Sequence, residues 1–168
     1  IFVRVPELTK GYVSRIMDAG ADGVMVPMVS SEEEARKLVD WSRFAPVGKR
    51  GLGSVGVSNS FAGLDSDAPT FMKKQNETTL SIAQIETKAA IENIDKIAAV
   101  EGIDVLLIGP NDLAISMGVP GDTMGDVVQE AIGKVHAAAE KNGKVFAIHS
   151  GDAMLEKWVP KGMQMVMN

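Results

Sequence analysis

Two carboxylates that follow predicted strands are the side chains of this sequence best suited to chemistry. Glu86 ends the apolar segment 80–86, and Asp112 lies two residues beyond the next apolar segment, 103–110. In a strand, Gln84 and Glu86 would point to the same face, because side chains alternate with a period of two residues. A carboxylate buried among apolar strands needs a cation or several hydrogen-bond donors. Together with Asp112 it would form a site for Mg²⁺ or a similar hard divalent cation, which prefers oxygen ligands.

A guanidinium group in the first predicted strand suggests where an anion would bind. Arg4 lies in the otherwise apolar segment FVRVP, residues 2–6. A buried guanidinium needs an anionic partner, and its planar fork suits the carboxylate of a substrate. The residues alone leave two simpler alternatives open. In one, Arg4 only forms a structural salt bridge. In the other, Glu86 pairs with Arg4 or Lys88, and Asp112 only caps a turn.

Lysine and histidine side chains offer further candidates. A Schiff-base mechanism needs a lysine inside the strand-end site. Lys144 begins its predicted strand, at the end away from the site. Lys88 is two residues beyond Glu86, so it could point to the same face and stays a candidate. A metal mechanism is favoured, because it accounts for both carboxylates. His149 ends a predicted strand and is a weaker site candidate, while His136, inside a predicted helix, is expected at the surface or in packing.

Apolar segments alternate with helical patterns along the chain, and this alternation positions the candidate residues. The predicted strands cover residues 2–6, 23–29, 80–86, 103–110, 144–150 and 162–168. The predicted helices cover residues 7–20, 31–44, 89–102, 126–142 and 152–159, with a short helical pattern at 70–76 and a polar turn between 110 and 126. Strict βα alternation predicts one α/β domain with a parallel sheet. Sites in such folds lie at the carboxyl ends of the strands.

Glycines and serines are expected at the ends of several of these elements and in the longest connection between them. Gly20 is expected to end the first helix, and Ser30 or Ser31 to cap the second. The segment 45–78 is too long for an ordinary connection, so we expect a functional loop or disorder there. Its GLGSVG, residues 51–56, does not follow a predicted strand, so phosphate binding is not expected. An open doubly wound sheet and part of a closed (β/α)8 barrel stay as alternatives.

The composition excludes several classes of function. The 168 residues include 17 Lys and Arg against 22 Asp and Glu, a net charge of −5, so nucleic acid is not an expected partner. There is no Cys, which excludes a disulfide scaffold, a thiolate zinc site and a Cys nucleophile. No apolar run approaches the roughly 20 residues that a membrane span needs. We expect a cytoplasmic protein with no membrane partner.

Four stretches, in this order, resemble the HpcH/HpaI aldolase family. They are GADGVMVPMVSSEEEARKLV, PVGKRGLG, AQIET and IDVLLIGPNDLAISMGVPG. Members of this family are metal-dependent class II aldolases that cleave 4-hydroxy-2-oxo acids to pyruvate, or pyruvate-type products, and an aldehyde. The resemblance therefore implies a divalent cofactor such as Mg²⁺, Mn²⁺ or Co²⁺, and a 2-oxo acid and an aldehyde as the small-molecule partners.

The resemblance also implies roles for individual residues. Glu86 and Asp112 would be the metal ligands, and Gln84, Asp112 and the backbone at Asn111 would contact the substrate. Arg4 would hold the oxo-acid end and stabilise the developing enolate. Asn111 departs from the small residue that is common in the family, so the aldehyde partner stays open.

A general base would come from outside the segment that matches. Family members use a histidine that precedes the VRVP strand, and Asp18 would raise the basicity of that histidine. Asp18 ends a helix on the side away from the strand ends, so it would act across a subunit interface in a homo-oligomer. Neither His136 nor His149 matches the family's base.

The resemblance implies a TIM barrel that this chain supplies in part. A (β/α)8 barrel typically needs about 250 residues. The chain would contribute about six βα units as one incomplete domain, residues 1–168, without the first two units and the last helix. The alternatives are a carbon–carbon lyase acting on CoA thioesters, or a non-catalytic barrel fragment.

Overall fold

Six parallel strands form one sheet in the order of the sequence. The computed structural model describes residues 1–53, 64 and 67–167. The strands are β1 (Phe2–Arg4), β2 (Gly23–Val26), β3 (Leu80–Ile85), β4 (Val105–Ile108), β5 (Val145–His149) and β6 (Met165–Met167). Within the described residues each strand pairs with its neighbours in sequence. The sheet curls into a half-barrel, so the carboxyl ends of all six strands lie along one rim.

Helices connect the strands and cover the outer face of the sheet. They are α1 (Lys10–Asp18), α2 (Glu32–Ser42), α3 (Ala68–Thr78), α4 (Lys88–Glu92), α5 (Ile94–Ala98), α6 (Pro110–Ser116), α7 (Asp126–Lys141) and α8 (Asp152–Trp158), followed by a 3₁₀ turn at Val159–Lys161. No helix among the described residues is long and apolar enough to cross a bilayer.

Side chains at the helix starts explain where several helices begin. Thr9, Ser31, Asp67 and Thr87 each accept a hydrogen bond from the backbone N–H three residues later, which satisfies a donor left free by the first turn. Ser31 is one of the two caps predicted for α2. After α1 the chain turns at Gly20, whose φ of +87° suits glycine, as predicted.

The strand predictions are confirmed with shorter bounds. Two other predictions were wrong, the polar turn after β4 and the single helix over 89–102. The polar turn expected after β4 is helix α6. Pro110 occupies the first turn of α6, where the missing N–H of proline is not needed. The single helix predicted over 89–102 is two short helices that meet at Asn93. The amide of Asn93 donates to the carbonyl of Ala89 in α4 and to the carbonyl of the distant residue Ser30, so its side chain bonds the backbone instead of pointing to solvent.

The predictions for segment 45–78 are only partly tested. The helical pattern at 70–76 is confirmed within α3, and Asp67 caps that helix. Residues 54–63, 65 and 66, which include the second half of GLGSVG, lie outside the described residues, and the prediction of a functional or disordered loop falls there.

The two faces of the sheet carry different clusters of side chains. The outer face packs against the helices in a large apolar core that includes Val24, Ala83 and Leu106. The inner face carries a smaller apolar cluster at the middle of the strands, formed by Met25, Ile82, Val105, Leu107 and Ala147. Two polar side chains of the described strands, Arg4 and Gln84, adjoin this cluster, because Arg4 pairs with Met25 and Gln84 with Leu107.

A buried arginine ties the opposite end of the sheet to α2 and α3. Arg43, only 2% exposed, donates to the hydroxyls of Ser81 at 3.1 Å and Thr79 at 3.0 Å, and forms an ion pair with Asp104. The carboxylate of Asp104 also accepts from the backbone N–H of Ser81. These bonds fix the starts of β3 and β4, which sets where both strands end at the rim.

Removing the charge of Arg43 should destabilise the protein. Arg43→Met keeps the apolar stem but leaves Asp104 and the two hydroxyls without their shared donor. We expect the free energy of unfolding, measured by urea denaturation, to fall by about 3 kcal/mol. The matched control is Arg36→Met, which breaks an exposed ion pair with Glu32 and should change stability by less than about 0.5 kcal/mol. Equal effects of the two substitutions would contradict the structural role of Arg43.

Candidate active site

A chain of three hydrogen-bonded polar side chains runs along the rim. Glu86, the first residue after β3, is 1% exposed. Its Oε2 accepts from Gln84 Nε2 at 2.6 Å, and its Oε1 accepts from the backbone N–H of Met28 at 2.9 Å. Gln84 Oε1 in turn accepts from Arg4 Nε at 3.1 Å. The arginine of β1 is thereby connected to the buried carboxylate beyond β3.

The strand register explains why these residues meet. Arg4 lies opposite Met25, and Met25 lies opposite Ile82. Gln84 is two residues beyond Ile82, so it occupies the next position on the same inner face. A long arginine side chain can cross β2 to reach it. The predicted parity of Gln84 and Glu86 is confirmed.

The orientation of the Gln84 amide follows from its two partners. Its oxygen must accept from Arg4, since a guanidinium has only donors, and this leaves the NH₂ group to donate to Glu86. Gln84 therefore lies between the two charged groups: its oxygen accepts from the Arg4 guanidinium, and its NH₂ group donates to the Glu86 carboxylate. Arg4 and Glu86 do not form the direct salt bridge that was one alternative from the sequence.

Burial and a neighbouring carboxylate set the protonation of Glu86. Burial raises the pKa of the Glu86 carboxyl above its ordinary value, and the N–H of Met28 and the charge of Arg4 lower it. The charge of Asp112 and a hydrogen bond between the two carboxyl groups raise this pKa further.

The backbone on both sides of Glu86 is shaped to admit its carboxylate. Met28 has φ +59°, a left-handed conformation that is uncommon for a residue other than glycine, and this turns its N–H towards Glu86. On the other side, a Cβ at Gly109 would overlap Glu86 Oε2 and come within 2.9 Å of Gln84 Nε2. A side chain at this position would have to displace the Glu86 carboxylate and the Gln84 amide from their present places.

Asp112 reaches the rim from helix α6. It lies in the first turn of that helix and is exposed. A cavity of about 230 Å³ opens between it and the inner face of the sheet, and its lining includes Arg4, Gln84, Gly109, Asn111, Asp112 and His149. The structure thus brings Arg4 and the predicted substrate-binding residues to one cavity. Glu86 does not line this cavity, but it accepts a hydrogen bond from Gln84 and interacts electrostatically with Asp112.

The donor set fits a hard divalent cation. Glu86 and Asp112 offer oxygen ligands, the type that such a cation prefers. In the part of the chain that the structure describes, no cluster of three or more His, Cys, Asp or Glu forms. Water and substrate oxygens would complete the coordination.

The lysine candidates lie outside this cavity. Lys88 is the exposed first residue of α4, and Lys144 donates from Nζ to the carbonyls of Val100 and Ile103 at the start of β4. Among the described residues no lysine lines the cavity, so the Schiff-base alternative has no support here. The packing role predicted for His136 is confirmed, since its ring lies 4.9 Å from that of Phe146.

Asp18 lies away from the cavity. It is the last residue of α1, at the end of the sheet where strands begin. Its Oδ1 accepts from Arg50 Nη2 at 2.8 Å and Nε at 3.2 Å, and the Arg50 guanidinium lies 4.5 Å from the centre of the Phe44 ring. Within one chain Asp18 does not join the rim residues, and its predicted effect on a histidine base stays a prediction.

Two parts of the site were missed from the sequence. Nothing in the sequence indicated that the N–H of Met28 would bind Glu86, because a positive φ at methionine is imposed by the surrounding structure. Gly109 had a weak signal, since a glycine followed by proline at the end of a strand marks a turn. Its actual role is to leave room for two side chains of the neighbouring strand.

Comparisons with known proteins agree with this geometry. The family model for HpcH/HpaI aldolase/citrate lyase matches residues 1–167. The chain is 37% identical to the 4-hydroxy-2-oxovalerate aldolase of Novosphingobium aromaticivorans, over 99% of this chain and 62% of that protein. It is 34% identical to the hydroxypyruvate/pyruvate aldolase of Roseobacter denitrificans, over 98% of this chain and 63% of that protein.

A solved structure matches the fold. The HpcH/HpaI aldolase from Desulfitobacterium hafniense superposes with a TM-score of 0.90 at 33% identity, covering 99% of this chain and 64% of that one. The chain thus spans slightly less than two thirds of the relatives it matches. With a family model that covers nearly every residue and a shared fold, the chain belongs to the HpcH/HpaI aldolase/citrate lyase family.

Proposed function

We propose that the protein carrying this chain is a divalent-metal-dependent aldolase that cleaves 4-hydroxy-2-oxo acids to pyruvate and an aldehyde. The observation that carries the proposal is the buried carboxylate of Glu86, which lies beside Asp112 at a rim that also presents Arg4 and Gln84. The relatives' names, 4-hydroxy-2-oxovalerate aldolase and hydroxypyruvate/pyruvate aldolase, support the same reaction class.

Glu86 and Asp112 would hold the cation, which we propose to be Mg²⁺, Mn²⁺ or Co²⁺. When bound, such an ion acts as a Lewis acid towards the oxygens of a 2-oxo acid. The protein supplies two carboxylates on separate elements, one fixed by two donors and one on an exposed helix turn. This leaves most of the coordination sphere open to water and substrate.

Arg4 would hold the oxo-acid end of the substrate. Its Nε is engaged by Gln84, and its two Nη groups have no hydrogen-bond partner within the described residues. Those groups are free to donate to a carboxylate and to the oxygen on which negative charge develops as the carbon–carbon bond breaks. Gln84 and the backbone at Asn111 would contact the same substrate.

The general base would remove the proton of the 4-hydroxyl group during cleavage. Following the family resemblance, we propose that it is a histidine from a segment before β1 and that Asp18 raises its basicity across a subunit interface.

We further propose that the six strands belong to an eight-stranded barrel, that the protein is a homo-oligomer and that it is cytoplasmic. Exposed apolar side chains on the two edge strands, Phe2 and Val166, support additional strands or subunits there.

The proposed reaction is tested by pyruvate release. The whole protein, stripped of metal and resupplied with Mg²⁺, Mn²⁺ or Co²⁺, should release pyruvate from at least one 4-hydroxy-2-oxo acid, and chelation should abolish the release. Failure with every cation and substrate would refute the aldolase. Cleavage of an acyl-CoA substrate instead would favour the lyase alternative.

Removing either carboxylate should weaken metal binding and turnover together. Glu86→Gln and Asp112→Asn keep the shape of the side chain but remove its charge. We expect each to lower kcat/KM by at least about 100-fold, which is typical of losing a group that stabilises developing charge, and to weaken Mn²⁺ binding followed by electron paramagnetic resonance. Glu92→Gln, an exposed carboxylate at the end of α4, is the matched control. Near-normal Mn²⁺ binding by both variants would refute the ligand assignment.

Arg4 should not tolerate replacement by lysine. An ammonium group keeps the charge but loses the planar fork and the Nε–H that binds Gln84. We expect Arg4→Lys to lower kcat/KM for pyruvate release by about 100-fold, with an unchanged circular dichroism spectrum. Arg15→Lys, on the exposed face of α1, controls for the substitution itself. Equal activity of the two variants would show that Arg4 does not touch the substrate.

A further inference from the structure

The hydroxyl of Ser30 connects the loop after β2 to the loop after β3. Of the two serines predicted to cap α2, Ser31 is the cap, so the hydroxyl of Ser30 is available for other contacts. Ser30 Oγ lies 2.8 Å from the carbonyl oxygen of Met28 and 2.7 Å from Thr87 Oγ1. Its partners are therefore the residue that donates to Glu86 and the residue that follows Glu86 in the chain.

The number of hydrogens fixes the direction of these two bonds. A hydroxyl has one hydrogen and a carbonyl oxygen can only accept, so the hydrogen of Ser30 goes to Met28. Thr87 must then donate to Ser30, while Thr87 Oγ1 accepts from the backbone N–H of Ala90. Met28 in turn donates to Glu86 through its own N–H. Because Glu86 and Thr87 are adjacent in the chain, these bonds close a ring.

The backbone that carries this hydroxyl is fixed on several sides. The N–H of Ser30 donates to Glu34 Oε2 at 2.8 Å, in the first turn of α2. The carbonyl of Ser30 accepts from Asn93 Nδ2 at 3.0 Å, where α4 meets α5. The preceding residue, Val29, is buried in the core, and its N–H donates to the carbonyl of Gln84 at 3.2 Å. The position of the Ser30 hydroxyl is therefore set by helices and by β3.

The conformation of Met28 needs such support. Its φ of +59° brings the Cβ close to the following carbonyl oxygen, which is unfavourable for any residue other than glycine. Met28 is 55% exposed, so the packing of its side chain contributes little to fixing this conformation. Hydrogen bonds of the backbone must therefore hold it, and the bond from Ser30 acts directly on the carbonyl of Met28.

Resting on the proposed function, we infer that Ser30 is a positioning residue for the metal site: its hydroxyl holds Met28 in the left-handed conformation in which the N–H of Met28 donates to Glu86. One oxygen of the Glu86 carboxylate is then bound by the backbone and the other by Gln84, which orients the carboxylate before a cation binds. Groups that orient a metal ligand in this way raise the affinity for the metal. Ser30 acts through Met28 and does not line the cavity at the rim.

The test measures the binding of Mn²⁺ to the whole protein. Ser30→Ala removes the donor to the carbonyl of Met28, so the left-handed conformation loses support and Glu86 loses its backbone donor for part of the time. We expect the dissociation constant for Mn²⁺, measured by electron paramagnetic resonance, to rise about tenfold. Ser30→Thr keeps a hydroxyl and should restore most of the affinity. An unchanged dissociation constant in Ser30→Ala would overturn the inference.

The adjacent serine provides the matched control. Ser31→Ala removes the cap of α2, which should lower the midpoint of urea denaturation, but it leaves the donor to Met28 in place. We expect the affinity of this variant for Mn²⁺ to equal that of the unmodified protein. If Ser30 were merely structural, the loss of affinity would follow the loss of stability in both variants, and that result would overturn the inference.

A substitution at Met28 tests the proposed cause. Glycine adopts a positive φ without a steric penalty, so Met28→Gly should make the left-handed conformation less dependent on Ser30. Ser30→Ala should therefore weaken Mn²⁺ binding by a smaller factor in the Met28→Gly background than in the unmodified protein. Equal factors in the two backgrounds would show that Ser30 does not act through the conformation of Met28.

Two further results separate failure of this inference from failure of the proposed function. Hydrogen–deuterium exchange of the amides of Met28 and Val29, followed by mass spectrometry without metal, should be faster in Ser30→Ala than in Ser31→Ala, and equal rates would overturn the inference. Mn²⁺ binding that Glu86→Gln does not weaken would refute the proposed metal site itself. Binding that depends on Glu86 but not on Ser30 would refute only the role of Ser30.

Discussion

The carboxylate of Glu86 is the constraint around which the rim is built. It is withdrawn from water, and burial without compensation would be strongly unfavourable. Each nearby feature reduces that penalty or allows the burial: the donor from Gln84, the N–H of Met28 and the absence of a side chain at Gly109. Asp112 works in the opposite direction, because it adds negative charge. Burial and the charge of Asp112 therefore disfavour the charged form of Glu86, whereas the N–H of Met28 and the charge of Arg4 favour it.

The curled sheet turns this local arrangement into a site. Parallel strands in sequence order bring every strand end to one rim, and the apolar cluster on the inner face closes the space beneath it. A second cavity of about 490 Å³ extends the rim beyond the end of β5, where its lining includes Asn111, His149 and Asp152.

The sequence was most informative where geometry depends on periodicity. The alternation of apolar segments and helical patterns predicted all six strands, and the two-residue spacing placed Gln84 and Glu86 on one face. It was less informative where the backbone departs from regular structure. The left-handed conformation of Met28 and the helical start at Pro110 depend on contacts between distant segments, which spacing does not reveal. Arg4 was assigned to the substrate, and its bond to Gln84 emerged only once the register of β1, β2 and β3 was known.

Gln84 has a consequence that extends beyond holding two neighbours. A single amide joins the group that would hold an anion to the group that would hold a cation. A ligand that draws the Arg4 guanidinium away removes the donor to the Gln84 oxygen, and this amide is the one that donates to Glu86. Thermodynamic linkage is reciprocal, so whatever factor the metal contributes to the affinity for the oxo acid, the oxo acid contributes to the affinity for the metal.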